Sequence, residues 1–230
     1  MNWDIITRIQ RFTLTARHNL EREAGEQLEG IYGWLPDGSF TGESSFSPAL
    51  IQVEEAKKTR TSLENYAAAE IEAGSNYKTA REDLIRETAF TWLNRCVALR
   101  MMEERQLIKE TISRLSDSNA FKLWVADECD PEAKDLYLAG DIPIGPLGEG
   151  PRQKAYRRFL LWECERLARE ASVLFDITNL PSRLFPRPLV LKEIVNDMNS
   201  PDLLEAWKQD NEETIGWVYQ SFNAEELQAA

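Results

Sequence analysis

The chain has one histidine and three cysteines, and no long uninterrupted apolar run; each shortage removes a class of function. The lone His18 rules out an HExxH zinc site, and any Ser-His-Asp or Cys-His arrangement would have to be built around it. Its place on the polar side of an amphipathic stretch makes it a surface residue. Cys96, Cys129 and Cys164 form no CxxC motif and no Cys/His cluster, so no zinc ligand set or disulfide framework is expected. They read as small buried apolar residues. Gly140, Gly145, Gly148 and Gly150 spell neither GxGxxG nor GxxxxGK[ST], and no strand precedes them, so they read as a connection rather than a phosphate-gripping loop. Adjacent carboxylates at Glu103–Glu104, Glu212–Glu213 and Glu225–Glu226 diverge by about 100° on a helix and read as solvated charge. No signal peptide or membrane span opens the chain, where Met1 is followed by NWDIITRIQRF; a cytoplasmic protein with no membrane partner is the expectation.

What is present points to helices. With 230 residues, 43% apolar content and seven tryptophans, the chain can fold around one sizeable core. Ile5, Ile9, Phe12, Ala16, Leu20, Ala24 and Leu28 follow helical spacing up to Gly30. Residues 33–50, rich in Gly, Ser and Pro, predict a loop or short hairpin, and a second helix is expected over about 53–73. Further helical segments are expected at 121–125, from Pro151 to about Leu174, from Arg187 to Asn199, through Trp207, and from about Glu212 to Phe222, with 138–151 as a loop. No strict alternation or hairpin signal appears, so the fold class is all-α, read as one helical domain over 1–230.

The most informative stretch is Asp83 to Met102, DLIRETAFTWLNRCVALRMM. Its apolar positions spread over roughly 260° of a helix, which requires other helices on nearly all sides. The spacing predicts a central buried helix over about 79–115, the hub of an irregular multi-helix bundle. Arg95 and Arg100 sit inside this hub, either buried on carboxylates or carbonyls or snorkelling to the surface.

Net charge is −12, unevenly spread. Residues 152–192 carry nine Lys/Arg against four Asp/Glu, whereas 193–230 carry one Lys against nine acids. The basic block can meet a polyanion or dock on the acidic tail. Within it Lys154, Arg158, Arg166 and Arg169 fall within about 120° of one helix face, with Trp162 among them. Cations with an interleaved aromatic suit a phosphate backbone, which makes these five the DNA-contact candidates. The alternative is a solvated face with Glu165 paired to Arg169.

Three ordered blocks carry a family resemblance. The hub contains Phe90, Thr91-Trp92, Asn94-Arg95 and Ala98-Leu99-Arg100; Leu174 to Asn199 reads LFDITNLPSRLFPRPLVLKEIVNDMN; Glu213 to Asn223 reads ETIGWVYQSFN. Together they resemble the N-terminal region of PglX-type adenine-specific DNA methyltransferases of bacteriophage-exclusion (BREX) systems, over roughly residues 80–223. The first 75 residues carry less that matches. The resemblance implies an S-adenosylmethionine-dependent enzyme of phage defence, with a glycine-containing methyl-donor loop and an Asn-Pro-Pro-Tyr turn that holds the adenine. Neither pattern occurs in this chain, so no catalytic, cofactor-binding or metal residue is assigned. The expectation is an N-terminal scaffold and DNA-positioning domain of a longer methyltransferase. Its expected partners are the catalytic domain in cis, DNA and other defence-system proteins, with S-adenosylmethionine bound elsewhere. The alternative, favoured by net charge, is a stand-alone acidic helical protein that binds a protein partner or mimics DNA.

Overall fold

The computed structural model describes residues 3–208 and 213–229, with backbone alone for Trp3 and 225–229. Among these residues the fold is all-α. Its helices are α1 (Trp3–Gly30), α2 (Pro48–Gln52), α3 (Glu54–Glu72), α4 (Tyr77–Glu104), α5 (Asn119–Asp127), α6 (Pro131–Ala139), α7 (Pro151–Leu167), α8 (Ser172–Phe175), α9 (Pro188–Met198) and α10 (Thr214–Ala229). All seven periodic positions of α1 are buried. The expected start of the last helix at Glu212 lies outside the described residues, as do the Glu212 carboxylate and the side chains of Glu225 and Glu226.

Helix α4 is the axis, as its apolar girth requires. Every residue from Trp92 to Met101 is buried, including Asn94 and Ala98 on the sector left polar or small in sequence. Around it gather α1, α3, α8, α9, α10 and the 3₁₀ turn Leu180–Arg183. Two apolar clusters share this one helix. Ala89 to Met101 face the larger, with α1, α7, α9 and α10, while Ala80 and Leu84 face a smaller one built on Leu28, Trp34, Leu50 and Leu63. Trp92 is fully buried: its indole N–H donates to the Pro181 carbonyl at 3.0 Å and its ring meets Phe185 edge-on at 4.7 Å.

Several boundaries differ from expectation. The hub helix ends at Glu104 rather than near Leu115. Gln106 adopts φ +59°, and Leu107 N–H folds back onto the Met102 carbonyl at 2.9 Å, which closes the helix with a left-handed residue. Glu103, expected to be solvated, instead accepts through Oε2 from the N–H groups of Thr111, Ile112 and Ser113 at 3.1, 2.9 and 3.1 Å, and so folds the connector back on the helix end. Its neighbour Glu104 accepts from Arg100 at 2.9 Å. The acidic stretch 127–135 contains a helix start, because Asp130 Oδ1 caps α6 by accepting from Ala133 N–H at 2.9 Å and Pro131 occupies the first turn. Helix α7 stops at Leu167, not near Leu174, and the chain restarts as the short α8.

Arg95 is buried, which settles the choice between interior and surface. Its Nε donates to the Leu174 carbonyl at 3.0 Å and its Nη2 to the Asp176 carbonyl, while the guanidinium lies 4.9 Å from the Trp92 ring centroid. Arg100 is buried too, between Glu104 and Asn199. Residues 31–46 form a loop whose single antiparallel bridge joins Trp34 to Phe40. Gly33 has φ +65°, and a Cβ there would lie 2.0 Å from Thr41 Oγ1, so a side chain at this turn would be strained and would displace Thr41. Cys96 and Cys164 are buried, and burial pushes each thiol up to about 12, which leaves them inert. Cys129 is only half-buried, contrary to the reading of all three as interior.

The α1–α9 junction is a charged latch. Glu23 is buried and accepts from Arg187 Nε at 2.7 Å, Nη2 at 2.8 Å and backbone N–H at 3.0 Å, and from Gln27 at 2.7 Å. Burial pushes its carboxyl up, but these donors outweigh burial and hold it below the ordinary 4.5. The latch is therefore complete above that value and is lost as pH falls through the lower folded value. Between about pH 7 and about pH 3, parent stability in urea should fall more steeply than that of Glu23→Gln; parallel profiles would contradict the assignment. Trp92→Ala should cost about 3–5 kcal/mol of unfolding free energy, and a loss under about 1 kcal/mol would place Trp92 outside the core.

Candidate nucleic-acid interface

The candidate face lies on α7. Pro151 occupies its first turn, and the Gln153 side-chain oxygen accepts from Gly150 N–H at 2.8 Å, so one otherwise unpaired donor at the helix start is met. Gly150 also permits close approach, since a Cβ there would sit 1.9 Å from the Asp141 carbonyl. The glycines of this connection thus serve backbone packing at Gly150. The buried side of α7 comprises Ala155, Tyr156, Phe159, Leu160, Glu163, Cys164 and Leu167. Four of the expected core positions, Tyr156, Leu160, Cys164 and Leu167, are among them; Ala171 and Leu174 lie past the helix end and are half-buried.

Lys154, Arg158, Trp162 and Arg166 are spaced four apart, and form one slowly turning row along α7. Arg169 follows the C-terminus of the helix and is exposed. The row is not a free cationic stripe. Arg158 donates to Asp130 Oδ2 at 2.7 Å and approaches Glu132 Oε2 at 3.1 Å. Arg166 makes a two-pronged contact with Glu163, Nε to Oε2 at 3.0 Å and Nη2 to Oε1 at 2.5 Å. Trp162 is partly buried against Trp124 and Phe159. Lys154 is half-exposed and, like Arg169, has no ion-pair partner among the described residues. The expected Glu165–Arg169 pair does not form, because the helix ends between them; Glu163, two residues earlier, is the anchored acid.

Three further arginines of the basic block, Arg152, Arg157 and Arg187, are committed to internal acids. Arg157, almost wholly buried, joins Glu55 of α3 at 2.6 Å to Glu149 at 2.9 Å. Arg152 meets Asp117 at 3.0 Å, and Arg187 meets Glu23 and Glu26. Among the described residues, none of these pairs uses an acid after Glu193, so the block docks on the leading part of the chain rather than on its tail. The Arg157 triad is electrostatically divided. Hydrogen bonding from Arg157 holds the Glu55 carboxyl below its ordinary value, whereas burial pushes Glu149 up despite the same partner. Neither Arg157 nor Glu163 was marked by sequence; a lone acid on the apolar side of α7 was the available signal for the latter. Among the described residues no His/Cys/Asp/Glu cluster could hold a metal, and no helix is long and apolar enough to cross a membrane.

Comparison with known proteins supports the blocks read in the sequence. The chain is 29% identical over 165 residues to the adenine-specific methyltransferase BrxX of Escherichia coli O9:H4 (strain HS), covering 66% of this chain. It is 25% identical over 246 residues to the adenine-specific methyltransferase PglX of Lacticaseibacillus casei (strain Zhang), covering 96% of this chain. The chain is similar in sequence to BREX adenine-specific methyltransferases. The second match reaches well into the first 75 residues, where motif reading alone found little. The chain spans only 13% and 20% of the length of these two relatives. No family model matches, and no solved structure does.

Replacing Arg157 with Met should cost about 3 kcal/mol in urea unfolding, because it strands the Glu149 carboxylate, whose side chain is only 11% exposed. Arg158→Met, at a half-exposed pair, should cost under about 1 kcal/mol. Equal losses would refute this ranking.

Proposed function

We propose that the chain is a helical scaffold domain of a BREX-type, S-adenosylmethionine-dependent adenine-specific DNA methyltransferase acting in phage defence. It braces chemistry carried elsewhere and contributes no catalytic group of its own. The observation that carries this reading is the dry α4 axis, ten consecutive buried residues long, lying in a chain whose relatives are adenine-specific methyltransferases. The cis partner is the catalytic portion of such an enzyme, which would bind S-adenosylmethionine and the flipped adenine, with other defence proteins as further partners. DNA contact by the α7 row rests first on Lys154 and Arg169, which have no ion-pair partner among the described residues, with Trp162 between them in sequence. Arg158 and Arg166 act at lower strength, since their carboxylate partners would have to yield.

Two measurements test the proposal. Purified chain incubated with labelled S-adenosylmethionine and adenine-containing DNA should transfer no methyl group; transfer would refute the supporting role. In gel shifts at low salt, the quadruple change of Lys154, Arg158, Arg166 and Arg169 to Glu should abolish DNA binding, and the parent should show a salt slope of about −2, as two phosphate contacts require. Equal affinity of parent and variant would remove α7 from the DNA path.

A further inference from the structure

The acidic run after α5 and the tryptophan of α7, far apart in sequence, meet at one place. Helices α5 and α7 and the turn that follows α4 enclose an open cleft of about 390 Å³. Its floor is aromatic: Trp124 and Phe159 are 5.8 Å apart between centroids, Phe159 and Trp162 6.3 Å, and Trp124 and Trp162 6.2 Å. Trp124 and Phe159 are buried, so Trp162 is the ring left partly open. Leu107 and Leu123 stand at the mouth, 67% and 43% exposed, an arrangement that costs free energy in water unless something covers them. The charges around this floor are unbalanced. Glu163 is spent on Arg166, which leaves the exposed Asp127 and Glu128 facing a single Lys109. Neither of those two acids has an ion-pair partner among the described residues.

We infer that this cleft docks a partner polypeptide through an arginine side chain flanked by aliphatic residues. The guanidinium lies over Trp162, where the ring's negative face attracts it, and Asp127 and Glu128 accept its N–H groups. The flanking aliphatic side chains cover Leu107 and Leu123. A floor of packed aromatics supplies a rigid surface with little entropy left to lose, the usual make-up of a binding anchor. Charge decides the class of partner. The chain's net −12 and the unpaired acids at the rim attract a cationic segment and repel a nucleotide's phosphate. The site is separate from the scaffold role proposed above but shares Trp162 and Arg166 with the α7 row, so DNA on that part of the row and the arginine side chain would exclude each other.

The probe is a pentapeptide, acetylated and amidated, with arginine between two leucines and glycine at each end. Titrated into the full chain, it should displace the Trp162 indole N–H resonance in a saturating manner. Asp127→Asn combined with Glu128→Gln should weaken binding at least about fivefold, as should salt near 1 M, while far-UV circular dichroism stays unchanged because both side chains are exposed. Glutamate in place of arginine in the peptide should abolish the effect. Equal binding of the two peptides would overturn the inference, as would parental affinity in the double variant. Displacement of the same resonance by dAMP but not by the arginine peptide would overturn it in favour of a nucleotide site.

Discussion

Guanidinium groups donated to backbone carbonyls tie connecting segments and helix ends of this molecule to its long helices. Arg60 of α3 reaches the carbonyls of Tyr32 and Thr41, and Arg81 of α4 those of Trp34 and Gly25. Arg95 takes Leu174 and Asp176, Arg17 of α1 takes Phe222, and Arg105 takes Trp207 and Lys208. A carbonyl in a loop has no ladder partner and must find a donor or water, and a planar, permanently charged fork can serve two at once. Lysine, a compact and strongly hydrated point charge, could not replace these arginines on equal terms. The interaction also carries a burden. Arg95 is 1% exposed with no carboxylate on it, and its Nη1 finds no acceptor, so its charge rests on two carbonyl dipoles and the face of Trp92.

The same economy of charge neutralises five of the nine cations in the basic block, leaving Lys154, Arg169, Arg183 and Lys192 without an ion-pair partner among the described residues. Residues 152–192 supply cations to acids on α1, on α3, near the start of α6 and in the connectors. What a residue count reads as a polyanion-binding stretch is mostly internal cement. The uncommitted charge on the molecule is therefore biased toward acid, and the aromatic cleft beside α5 shows that bias at close range.

Sequence periodicity made α1, α3, α9 and the start of α4 legible to within a few residues, because apolar spacing outweighs local noise there. Where helices stop was harder to read. Gln106 and Leu115 adopt left-handed backbone without being glycine, so the end of α4 carries no punctuation in the sequence. Helix α6 was hidden by acidic composition although Asp130-Pro131 is an ordinary helix-start pair. The candidate row was visible as a row, but its electrostatic state was not: Asp130, which takes Arg158, lies 28 residues away in sequence, and Glu163 becomes buried only through tertiary packing. Glu103 shows the same limit. Its three backbone donors come from a loop that folds back for reasons no spacing rule encodes.

One continuous helix lines both apolar clusters, and this makes the region indivisible. Any boundary drawn within Tyr77–Glu104 would strip a wall from each interior and leave two fragments with bare apolar flanks. The two interiors should therefore melt as a single cooperative unit, and a recombination or fusion junction can be tolerated outside this rod but not within it.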